Sequence, residues 1–289
     1  NLLGMAIHTQ GLILLAHGRV AEGVALLDEA MTSVVAGELS DYFTGAVYCN
    51  VIGACLEIAD VRRAGDWGEA ARAWAESLPP ESPYPGMCRI NRAQLANLRG
   101  EWARAEAESI RATEELIGFS PALAAEALYE TGEVRRRRGD LDGAEAAFER
   151  AHELGVEPQP GLALLRLAQG KVDAALTALR TAVLGAPGNR LRRARLQGAL
   201  ADATLAAGDL DAAKAAADEM DAIARESDAP VLAASAATVR GCDVDREDDR
   251  RTQREAGQRR GPVGHRGTED LIPHPDTTGE HRGVQSRGA

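Results

Sequence analysis

At 289 residues and 45% hydrophobic content the chain can bury a sizeable core, yet no apolar run approaches the ~18 residues that a membrane-spanning helix needs. A formal net charge of −11 excludes a general nucleic-acid-binding surface, because phosphate contact requires a dense basic face. Aromatic residues make up only 3%, no stretch alternates as a strand does, and segments rich in Ala, Leu, Glu and Arg favour helix over the first 240 residues.

In chain order, one pattern returns six times. A glycine is followed at +2, +5, +9 and +12 by apolar or small residues, the spacing of a helical stripe. The copies are Gly18 with Val20, Gly23, Leu27 and Ala30, then Gly65 with Trp67, Ala70, Trp74 and Ser77. Gly100 follows with Trp102, Ala105, Ser109 and Ala112, and Gly139 with Leu141, Ala144, Phe148 and Ala151. The last two are Gly170 with Val172, Ala175, Leu179 and Ala182, and Gly208 with Leu210, Ala213, Ala217 and Met220. A helix of this length cannot bury its stripe alone, so each copy is the second helix of a pair. Seven residues before the glycine stands Gly11, Ala93, Gly132, Ala163 or Ala201, small enough for two helices to approach closely, with Ile58 as the exception. The six glycines are spaced by 47, 35, 39, 31 and 38 residues, scattered around the ~34 of a tetratricopeptide repeat. Trp67 and Trp102 share a repeat position and are expected to pack between paired helices.

Val231 to Arg240 reads as the first helix of a seventh repeat, and the character then changes. Residues 241–289 contain no aromatic residue and five large aliphatics, with nine Arg against ten acids. Such a segment cannot offset its chain entropy by burial and is expected to be disordered. The abrupt boundary also suits a shifted reading frame in a GC-rich gene, a bias that 31 Arg against Lys171 and Lys214 already suggests. The expected organisation is therefore a repeat domain over 1–240 and a tail over 241–289. Asn1 in first place suggests a piece of a longer chain.

No phosphate-cradling, dinucleotide, zinc-protease or nucleophile-elbow motif occurs, so an enzyme and a cofactor are not expected. Cys49, Cys55, Cys88 and Cys242 are spaced neither as a disulfide framework nor as a zinc site. The acids from Asp243 to Asp249 fail as a calcium loop, because Asp248 stands where glycine is required and Arg254 where the bidentate Glu is required. Two Arg clusters, Arg135 to Arg138 and Arg190 to Arg195, admit two readings: solvated helix termini or a surface for an acidic partner.

The pattern of a small residue, the glycine and the stripe resembles the tetratricopeptide family over residues 1–240, and that resemblance implies an all-α, right-handed solenoid of about six helix pairs. The segments Val47–Ile52 through Arg63–Trp67, Cys88–Leu95 and Glu157–Leu165 further resemble the helical middle region of actinobacterial LuxR-type transcriptional regulators. In such proteins an ATPase-like domain commonly lies upstream and a helix-turn-helix domain downstream. The resemblance implies a cytoplasmic, non-catalytic protein-interaction or sensor module without membrane or direct nucleic-acid contact. Related helical regions also occur in signalling enzymes such as nucleotide cyclases, and an enzyme with its site in the groove is a further alternative. In the tetratricopeptide family the first helices line a concave groove, so Tyr129, Glu133 and Arg136 are implied to face a protein or peptide partner there.

Overall fold

The computed structural model describes residues 2–79, 82–227, 232–239 and 241, all within one compact unit spanning 1–246. Its helices are α1 (Leu2–Ala16), α2 (Val20–Val35), α3 (Asp41–Glu57), α4 (Val61–Glu76), α5 (Tyr84–Leu98) and α6 (Trp102–Leu116). They continue as α7 (Pro121–Arg138), α8 (Leu141–Glu153), α9 (Gly161–Ala168), α10 (Val172–Leu184), α11 (Arg190–Ala207) and α12 (Leu210–Glu226). Residues 232–239 are also helical, within the expected start of a seventh repeat. Of the tail expected over 241–289, Gly241 is helical and residues 242–289 lie outside the described residues. No described helix is long and apolar enough to cross a membrane.

Each odd helix packs on the even helix that follows, giving six pairs, and the turn inside each pair has a local cause. Gly18, Gly100, Gly139, Gly170 and Gly208 hold φ between 76° and 83°, the left-handed conformation that ends a helix and that glycine adopts without a Cβ clash. In three pairs the residue after the turn caps the second helix: Asp140 Oδ1 accepts from the Gly143 amide at 3.0 Å, and Asp60 and Asp209 accept at the same distance from Arg63 and Ala212, whereas Arg19, Glu101 and Lys171 make no such bond.

The second repeat departs from the expected register. Gly65 lies inside α4, and the turn is made by Ala59 at φ 55°. The apolar series read from Gly65 sits on the flank of α4: Trp67, Ala70 and Trp74 are half-buried, whereas Ala64, Ala71 and Ala75 are buried. Counting from Ala59 gives two intervals of 41 residues, to Gly18 and to Gly100, and places Ile52 seven residues upstream. Trp67 and Trp102 therefore do not share a position, and Trp102, in the first turn of α6, is 40% exposed rather than packed.

Elsewhere the small residues do bring helices together. A Cβ on Gly11 would come within 3.0 Å of the Gly23 carbonyl oxygen, and one on Gly132 within 2.6 Å of the Phe148 ring. Ala144, Phe148 and Ala151 are fully buried, with Leu141 packed half-buried against them.

The odd helices form an inner layer in which each touches the next, and α11 returns to touch α1. The array thus closes into a ring. Leu191 and Ala194 of α11, Ile223 of α12 and Leu232 share one apolar core with Leu15, Val20 and Leu27 of the first pair. Arg195 bridges the seam to Glu57 at 3.2 Å. A repeat array ordinarily makes only neighbour contacts, so the seam is a feature of curvature accumulated over six pairs.

Candidate ligand cavity inside the helical ring

The inner layer leaves a cavity of about 420 Å³, within the size range of ligand sites. Helix α1 contributes Leu12 and Leu15, α3 Cys49, Asn50 and Glu57, α5 Met87, Ile90, Asn91 and Gln94, and α7 Leu123 and Glu126, with Asn189 entering ahead of α11. The repeat explains the convergence. Asn50 and Asn91 both stand nine residues before their turn residues, Ala59 and Gly100, and Leu12, Gly53 and Gln94 stand six before theirs, so one helical face is presented again and again.

Apolar walls thus carry a few side-chain amides and two carboxylates. Asn91 is only 9% exposed, and its buried Nδ2 has no partner among the described residues other than the Cys49 thiol, whose pKa it lowers. Glu57 is engaged by Arg195 across the seam. Glu126 has no such cation, and burial raises its pKa. None of the lining residues is basic. Burial pushes the Cys49 thiol up to about 12, so at neutral pH it is protonated and a poor nucleophile.

Tyr129, Glu133 and Arg136 do not line this cavity. Tyr129 packs on Phe148 with ring centroids 5.5 Å apart, and burial raises its phenol. Glu133 is buried and paired with Arg136 at 3.0 Å and Arg137 at 3.5 Å. Both Arg clusters are largely occupied within the chain. Arg135 reaches Glu106 at 2.8 Å, Arg138 pairs with the same carboxylate, Arg190 with Glu226 and Arg193 with Glu219.

The architecture is that of a tetratricopeptide-like helical solenoid. A solved Rap protein complexed with competence and sporulation factor is similar over 87% of this chain and 70% of that one, at 15% identity with a TM-score of 0.63. A tetratricopeptide repeat protein from Parabacteroides merdae matches over 92% of this chain and 95% of its own, at 17% identity with a TM-score of 0.46. BtubC from P. vanneervenii matches over 87% and 97%, at 16% identity with a TM-score of 0.47. At such identities the likeness concerns the fold. No family model matches the chain, and no curated protein does.

The cavity amides were not singled out from the sequence. The signal was present: Asn50 interrupts the apolar run Val47–Ile52, and Asn91 and Gln94 interrupt Cys88–Leu95.

Proposed function

We propose that the chain is a non-catalytic interaction and sensor module that holds a peptide, or an extended segment of a protein, in the ring cavity. We further propose that it serves a cytoplasmic bacterial regulator of the LuxR type. The observation that carries the first part is the set of amides on successive inner helices around apolar walls. A side-chain amide both donates and accepts, as a peptide backbone does, and apolar walls suit the side chains between. The Rap protein of the same fold is complexed with a factor, an analogy that agrees with this reading without carrying it.

Tyr129, Glu133 and Arg136 extend the same surface in this proposal. Tyr129 stands ten residues before Gly139, as Cys49 stands before Ala59 and Ile90 before Gly100, and Glu133 stands six before it, as Gln94 does before Gly100. The raised thiols of Cys49 and Cys55, both at about 12, supply no nucleophile.

Peptide pools passed over the immobilised chain test the module. Retention that Asn91→Ala and Arg136→Glu each reduce supports the groove, and turnover of nucleotide or ester substrates by the purified chain contradicts the non-catalytic reading. The LuxR context is tested by the coding sequence that follows: a helix-turn-helix domain supports it, and a nucleotide-cyclising domain overturns it.

A further inference from the structure

We propose that the cavity takes a basic side chain of its occupant against Glu126, so that the segment bound carries lysine or arginine between aliphatic residues. This rests on the peptide reading above and adds the charge of the ligand to it. Two carboxylates line the cavity and no base does. Glu57 is already matched by Arg195, which leaves Glu126 as the acid without a counter-charge among the described residues. The Arg residues of its own helix stand at the far end of α7, where Glu106 and Glu133 engage all four and the Asn97 amide oxygen also accepts from Arg137. Glu126 is exposed to the cavity it lines, and its surroundings already disfavour its anion, so its carboxylate is open to a cation brought with the ligand and gains from one.

The surroundings suit a long basic side chain better than a bare inorganic cation. Leu123, one turn before Glu126, together with Met87 and Ile90 of α5, offers apolar wall for the methylenes of such a stem. The Asn50 and Gln94 amides, exposed and half-buried on the same walls, can pair with the backbone of the same segment. An acidic side chain at this place would meet the Glu126 carboxylate with no cation beside it among the described lining residues.

The experiment uses the full chain and acetylated heptapeptide pools in which the central residue is fixed as arginine, lysine, norleucine or glutamate. The expected result is retention of the two basic pools about tenfold above the norleucine pool, with the glutamate pool weakest. Glu126→Gln should bring the basic pools down to the norleucine level. A second measurement needs no variant: rising salt should weaken retention of the basic pools and leave the norleucine pool unchanged. Equal retention of basic and norleucine pools by the unmodified chain, or a basic preference that survives both Glu126→Gln and high salt, overturns the cation subsite and leaves the peptide groove standing. Retention of no pool overturns the peptide reading, and this inference with it.

Discussion

Ala59 holds φ 55° where five equivalent turns hold glycine, and a non-glycine residue in the left-handed region costs about 1 kcal/mol or more. Ala59→Gly relieves that strain and loses part of the gain to the freer unfolded chain, so a net stabilisation of about 0.5–1 kcal/mol is expected from the denaturant midpoint. A loss of stability would show that the turn at Ala59 is unstrained. Glu130 on α7 makes a different demand. Asn97 donates to its carboxyl at 2.6 Å, but burial pushes that carboxyl up to about 7. Its unfolded value is about 4.3, so the folded state binds the proton more tightly. The stability this gives is complete below the unfolded value and is lost as pH rises through about 7. Glu130→Gln should therefore gain on the unmodified chain by on the order of 2 kcal/mol between about pH 5 and about pH 8. Denaturant titrations at both pH values check this, and a difference that does not change with pH contradicts it.

The helix pair is the unit of packing, and its tolerance is set where the two helices nearly touch. Gly132 on α7 leaves no room beside the Phe148 ring of α8, so Gly132→Val should destabilise by about 1–3 kcal/mol through overpacking. Phe148→Ala should cost about 3–5 kcal/mol by leaving a cavity. Full hydrogen-exchange protection of α7 and α8 in either variant would contradict the close fit. This scale was the most legible in the sequence, because a turn glycine, a small residue seven before it and a stripe after it are all local demands of one hairpin. The second repeat was misread for the same reason. Alanine there does the work of glycine, and Gly65, six residues on, begins another apolar series about a third of a turn round the helix.

Ring closure left no comparable trace. Leu191, Ala194 and Ile223 are ordinary stripe residues for their own helices, and nothing in their spacing says that they also meet Leu15 and Val20. The cavity inherits this: its wall is set by which odd helices face one another, so Asn50, Asn91, Asn189 and Glu126 became a group only in three dimensions. The seam is held by apolar contact more than by charge, since the Arg195–Glu57 pair is largely exposed, with side chains at 53% and 37%, and such pairs are worth about 0–1 kcal/mol. Leu191→Asp should accordingly open the ring and weaken peptide retention, whereas Arg195→Ala should leave the fold within about 1 kcal/mol of the unmodified chain, both read by thermal unfolding and pool retention. The closed ring carries both functional proposals, and cross-linking tests it most directly. Cysteines placed by Glu57→Cys and Arg195→Cys, with Cys242→Ser removing a competing thiol, are treated with a short bismaleimide at low protein concentration. The account predicts an intramolecular bridge in monomeric chain that is lost when Leu191→Asp is added. Absence of that bridge, with each single cysteine reacting normally, would contradict the ring.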